Sequence, residues 1–163
     1  LLTFDILVPN LNDLSYLLED SIKIKEEIVE NDPYETGMRK ALNFGHTIGH
    51  AFESLAMIKK SPILHGYAVA YGMICELYLR TIKVGFPIEK MRQTVSYIKH
   101  IYGIYDFSCD DYEVLYELMK HDKKNTANTI NFTLLEDIGK VKINFTASKK
   151  DIFESFDFIR EGL

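Results

Sequence analysis

The stretch RKALNFGHTIGHAFESL, beginning at Arg39, sets Arg39, Asn43, His46, His50 and Glu53 into an otherwise apolar, helix-forming run. At about 100° per residue the five fall within an arc of about 80°, so a continuous helix would carry them on one face. A polar stripe ordinarily faces water. This one contains no lysine and no repeated glutamate, and two histidines one turn apart can hold a metal ion from one face. Gly45 and Gly49 thin the helix, leaving room for a ligand or another backbone. The zinc-protease pattern HExxH is absent, because Thr47 stands where its glutamate would be. A third imidazole, His65 of LHG, opens a later apolar run, where a helix dipole disfavours protonation. Neutral imidazole is the form that binds metal, although a histidine at a helix start is also a common end residue. A catalytic zinc normally takes three protein ligands and keeps one position open.

Helices must position these groups. Asn12 or Asp13 can cap a first helix through about Glu30, stopped by Asn31-Asp32-Pro33. The acidic loop DPYETG follows. A second helix is expected from about Gly37 to Met57, broken by KKSP. A third, from about His65 to Lys83, is apolar nearly all round and so should be central. Pro87 suits the first turn of a fourth, reaching about Tyr102. Asp110 with Glu113 offers a capping box for a fifth, to about His121. Then the period changes: Ile130, Phe132 and Leu134, and later Val141, Ile143 and Phe145, alternate. That predicts a hairpin over about 129–145, turning at Glu136-Asp137-Ile138-Gly139. Ser148 and Asp151 can cap a last helix to about Arg160. The expected fold is mainly α, a single multi-helix domain over residues 1–163 with one small β-hairpin.

Composition excludes several classes. A net charge of −5 argues against a general nucleic-acid binder, which would show a basic stripe. No apolar run approaches the ~20 residues of a membrane span. Cys75 and Cys109 make no disulfide framework, and Cys75 reads as a buried thiol, so a reducing, cytoplasmic setting is expected. The N-terminus has no basic region of the signal-peptide kind. It also lacks an initiator Met, so the chain is expected to be cut from something longer.

R-x-x-L-N-F-G-H-T-x-G-H-A followed by L-H-G-x-A-V-A-x-G-M strongly resembles the C-terminal domain of the 3-dehydroquinate synthase family, among the sugar-phosphate cyclases. The resemblance runs upstream through Lys25 and DPYETG and downstream through HDKKN and INFTLLEDIGK, so it covers most of the chain, from about residue 20 to 145. It implies an enzyme that uses NAD and one divalent metal, zinc or cobalt, to turn the phosphorylated sugar acid DAHP into 3-dehydroquinate. The implied steps are alcohol oxidation, phosphate loss, ketone reduction and aldol ring closure. Carried over, His46 and His65 would be metal ligands that also meet the substrate. His50 and Glu35 would transfer protons. Lys25, Arg39, Asn43 and one of Lys123 or Lys124 would contact substrate, and Arg and Lys suit its carboxylate and phosphate. Glu53 is read as a partner of a ligand or a helix-surface carboxylate; His100 and His121 as structural or solvated.

Two features depart from the family pattern: Tyr67 follows His65-Gly66 where an acid is frequent, and the linker SLAMIKKSPIL is slightly long. Two others are absent. No glycine-rich strand-to-helix turn of a Rossmann-like, NAD-binding N-terminal domain occurs, and no A-E-x-x-K stretch supplies the family's third ligand, a glutamate. The chain is therefore expected to be the C-terminal domain alone, inactive by itself, with the N-terminal domain as its partner and a homodimeric parent. Another sugar-phosphate cyclase (aminodehydroquinate, valiolone or inosose synthase type) is the nearest alternative. A metal phosphohydrolase of the HD type, resting on His121-Asp122, and a non-catalytic helical binding module are the others.

Overall fold

In a computed structural model that describes residues 10–121, 130–137 and 140–162, six α-helices and one two-stranded sheet form among the described residues. Packing divides the chain into two compact units, separated in sequence between Leu42 and Asn43.

The first unit holds α1 (Leu11–Asn31) and the loop after it. Asn10, rather than Asn12 or Asp13, caps α1. Its side chain accepts the Asn12 N–H at 3.0 Å and its carbonyl already accepts the Leu14 N–H at 2.9 Å, so the helix starts earlier than expected. Pro33 follows the Asp32 C-cap. Tyr16, Leu18, Ile22 and Ile24 on α1 are exposed.

The second unit contains α2 (His46–Ile58), α3 (His65–Val84), α4 (Ile88–Tyr102), α5 (Tyr112–Lys120), β1 (Asn131–Asp137), β2 (Lys140–Thr146) and α6 (Lys149–Glu161). α3 packs against α2, α4, α6 and β1, which explains an apolar sequence with no single polar face. On α2, Ile48, Ala51, Phe52, Leu55 and Ala56 are buried, the i, i+3, i+4, i+7, i+8 stripe of a core-facing helix. Burying a side chain such as Phe52 or Leu55 contributes about 1.5–3 kcal/mol. The Phe52 ring meets Tyr71, Tyr105, Phe107 and Phe156 at centroid distances of 6.5, 5.4, 5.1 and 6.0 Å. The opposite stripe, His46, His50 and Glu53, stays half-buried.

The expected helix from Gly37 to Met57 is two elements. Met38–Asn43 is a 3-10 helix, Phe44 and Gly45 form a turn, and α2 begins at His46. The cause is a backbone crossing with α3. A Cβ on Gly72 would lie 2.0 Å from the Gly45 carbonyl oxygen and 2.7 Å from the Gly49 nitrogen. Gly45 itself sits at φ 80°, a left-handed conformation that favours glycine. Only His46, His50 and Glu53 therefore keep the helical stripe; Arg39 and Asn43 stand on the separate 3-10 element.

α2 ends as KKSP requires, with Lys60 at φ 57° and its N–H donating to Met57 O at 3.0 Å, while Ser61 N–H reaches Ala56 O at 3.0 Å. The capping box before α5 is Ser108 with Asp111, not Asp110 with Glu113. Asp111 accepts the Ser108 N–H at 2.8 Å and is held by Lys59 Nζ at 2.6 Å, a partner outside the segment. Ser148 and Asp151 cap α6 as expected. β1 and β2 pair antiparallel, Phe132 opposite Phe145 and Asp137 opposite Lys140. Ile130, Phe132 and Leu134 are buried; residues 138 and 139 of the turn lie outside the described residues. Among the described residues no helix is long and apolar enough to cross a membrane.

Candidate metal centre

The α2–α3 crossing brings three imidazoles together. Ring centroids are 5.5 Å apart for His46 and His50, 5.4 Å for His46 and His65, and 5.7 Å for His50 and His65. His46 and His50 share one turn of α2, and His65 is the first residue of α3. Two imidazoles bound to one zinc at about 2 Å, with a tetrahedral angle between them, hold their centroids roughly 5 Å apart. The spacing fits a shared cation, yet it does not choose two rings from three.

Hydrogen bonds distinguish them. His46 Nδ1 lies 3.2 Å from the Phe44 carbonyl oxygen, and His65 Nδ1 lies 3.0 Å from Glu53 Oε2. A carbonyl and a carboxylate only accept, so each Nδ1 donates, and in the neutral ring Nε2 then carries the lone pair a metal needs. Among the described residues no three His, Cys, Asp or Glu side chains are disposed to hold a metal ion. His46 and His65 therefore fit as part of a coordination shell, not as a whole one.

Two further groups fix the position of His46. Thr47 Oγ1 donates to the Asn131 carbonyl at 3.1 Å, tying the start of α2 to β1. Glu76, fully buried on α3, accepts the Gly45 N–H at 2.8 Å through Oε2 and holds the turn before His46. Sequence reasoning missed Glu76, and with it buried Arg80, one turn further along α3. The available signal was a pair of opposite charges inside an otherwise apolar helix, one of them a turn beyond a glycine.

The remaining expected residues are placed as follows. In the first unit Lys25 is exposed on α1, and Glu35 and Arg39 are half-buried. Glu35 holds φ 55°, unfavourable for a residue with a Cβ. Asp32 organises this loop. Its carboxylate accepts the N–H groups of Thr36 at 2.9 Å, Gly37 at 2.7 Å and Arg39 at 3.0 Å. These backbone donors, Thr36 foremost, hold the Asp32 carboxyl below its ordinary range. Arg39 Nη1 donates to Pro33 O at 2.8 Å. In the second unit Asn43 is half-buried at the end of the 3-10 helix. Lys123 and Lys124 lie outside the described residues, as does Asp122 of the phosphohydrolase alternative.

Comparison with known proteins bears on this arrangement. Residues 4–125 match the family model for the 3-dehydroquinate synthase C-terminal domain. A 3-dehydroquinate synthase of Parabacteroides distasonis is 57% identical over 159 residues, covering 98% of this chain and 45% of the relative. One from Listeria monocytogenes serotype 4a is 40% identical over 147 residues, covering 88% and 39% respectively. The chain thus spans less than half the length of these curated relatives. Among solved structures, a 2-deoxy-scyllo-inosose synthase in complex with carbaglucose-6-phosphate, NAD+ and Co2+ superposes with a TM-score of 0.72 at 25% identity. That match covers 93% of this chain and 42% of the other. Sequence motif, helical fold and family model agree, and the chain belongs to the 3-dehydroquinate synthase C-terminal family.

Proposed function

We propose that the chain supplies the metal- and substrate-binding part of a cytoplasmic 3-dehydroquinate synthase. That enzyme converts DAHP into 3-dehydroquinate with release of phosphate, in the shikimate route to aromatic amino acids. The observation that carries this reading is the His46–His65 pair, 5.4 Å between centroids with both Nδ1 atoms engaged by acceptors.

When bound, zinc or cobalt would polarise the hydroxyl being oxidised, while NAD would take up a hydride and return it. His46 and His65 would hold the metal through Nε2 and so help to place the substrate beside it. His50, one turn from His46, moves a proton to or from the reacting hydroxyl, and Glu35 is assigned the other proton transfer. Arg39, Lys25, Asn43 and one of Lys123 or Lys124 bind the carboxylate and phosphate. The third metal ligand and the NAD site are assigned to an N-terminal domain in the longer protein, which we take to be a homodimer. Exposed apolar side chains support such a covering partner: Leu18 and Ile22 on α1, and Met57, Ile58 and Leu64 around the loop leading to His65.

The test uses the full-length protein. His46→Ala or His65→Ala should lower bound metal and cut phosphate release from DAHP by about 10²-fold or more, the scale for losing one direct stabiliser of developing charge. Activity and metal content unchanged in both would overturn the reading. The 163-residue chain alone, given NAD, zinc and DAHP, should release no phosphate at enzyme-like rates. The inosose synthase likeness keeps a second reading in view, a cyclase for another sugar phosphate. Full-length protein turning over sedoheptulose 7-phosphate in preference to DAHP would favour it.

A further inference from the structure

We propose that Glu53 is a positioning residue for the metal, acting through His65. This rests on the reading of His65 as a ligand and goes a step past it. His65 needs an external constraint. It is the first residue of α3, its side chain is 52% exposed, and no atom lies within 4 Å of a Cβ placed on the neighbouring Gly66. The preceding Leu64 gives the helix no side-chain cap. The His46 and His50 rings stand 5.4 and 5.7 Å from it, but with half its side chain exposed the ring is not enclosed.

Glu53 supplies the constraint. It lies on the α2 stripe that carries His46 and His50, and its side chain is 28% exposed. From there it crosses to α3 and takes the His65 Nδ1–H at 3.0 Å. The contact fixes one tautomer and one ring orientation, with Nε2 on the edge away from Glu53. A metal held on Nε2 would lie across the ring from this contact, so Glu53 would act on the ligand rather than on the ion. The negative charge on the Nδ1 side also makes Nε2 a stronger donor. As a stability device, a hydrogen bond this exposed would contribute little. Its consequence is the angle at which His65 meets the metal.

The experiment measures zinc affinity of the full-length protein by competition with a chromophoric chelator, and the visible spectrum of bound Co2+. Glu53→Ala should raise the zinc dissociation constant about 10–100-fold and alter the Co2+ bands, with the thermal midpoint unchanged. Glu53→Gln keeps an oxygen that can accept from Nδ1–H and should recover part of the loss. His65→Ala is run beside them. If His65→Ala binds zinc as tightly as the unaltered protein, the ligand reading itself fails. If His65→Ala loses zinc while Glu53→Ala and Glu53→Gln both stay within about twofold of the unaltered protein, His65 remains a ligand and the positioning role of Glu53 is wrong.

Discussion

The α2–α3 crossing and the loop from Asp32 to Arg39 each carry residues assigned to chemistry, and they are held by different means. At the crossing, backbone lies on backbone: Gly45, Gly49 and Gly72 are in contact, Glu76 is buried against the Gly45 N–H, and Ile48 and Phe52 are fully enclosed beneath. In the loop the Asp32 carboxylate collects three backbone N–H groups within 3.0 Å, and Arg39 Nη1 donates to Pro33 O at 2.8 Å. Metal ligands must stay within a fraction of an ångström of ideal geometry, and close packing does not yield by small amounts. A segment held by a few hydrogen bonds to one side chain can open locally without disturbing a core. The crossing is therefore suited to holding side chains in fixed positions, and the loop, which carries Glu35 and Arg39, to local movement.

The sharpest way to break this contrast is a methyl group at the crossing. Gly72→Ala places a Cβ 2.0 Å from the Gly45 carbonyl oxygen, where only backbone can move aside. Overpacking a core costs about 1–3 kcal/mol, and contact with main-chain atoms belongs at or above the top of that range. Urea denaturation should show the loss, and zinc affinity should fall with it because His46 follows Gly45 directly. Gly66→Ala, in the same helix but facing open space, is the control. It should raise stability by up to about 1 kcal/mol through helix propensity. Equal losses at the two positions would show that the crossing has no special rigidity.

Glu76→Ala probes the same region more gently. It removes the acceptor of the Gly45 N–H from a fully buried site. Bonds to charged groups contribute about 1.5–3 kcal/mol, so a loss of that size is expected in urea melts. Zinc affinity should weaken less than with Gly72→Ala, because the glycine contact remains. A neutral outcome would mean that the turn before His46 is set by the glycines alone.

This contrast was only partly written in local sequence. α3, the hairpin and the Ser148–Asp151 cap follow from periodicity and capping residues within a few positions of each other, and local chemistry decides them. The histidine cluster was equally legible, since His46 and His50 share a turn and His65 opens the next apolar run. The break at Gly45 was not. A glycine inside a helical pattern is ordinarily tolerated, and the bend here depends on Gly72, remote in sequence, pressing on the Gly45 carbonyl. Glu76 was hidden for a related reason: its partner is a backbone N–H on another element, which no spacing rule along α3 reveals. Glu53 was visible but ambiguous, because a carboxylate on a helix face looks the same whether it meets water or a histidine.

The smallest expected effect belongs to the loop. Asp32 has its pKa lowered by the N–H donors of Thr36, Gly37 and Arg39, which favour the ionised form. A group depressed in the folded state contributes order that is fully present above its ordinary value and lost as pH falls through the lowered one. The amide resonances of Thr36, Gly37 and Arg39 should therefore move together only below about pH 4, the ordinary carboxylate range. Amides of α2 and α3 should stay in place over the same interval. Asp32→Ala should speed hydrogen exchange at those three amides and leave the urea midpoint unmoved, because the loop can open without the core. If the α2 amides shift in step with the loop, or if Asp32→Ala lowers the urea midpoint as Gly72→Ala does, the two regions form one cooperative unit and the division of labour drawn between them fails.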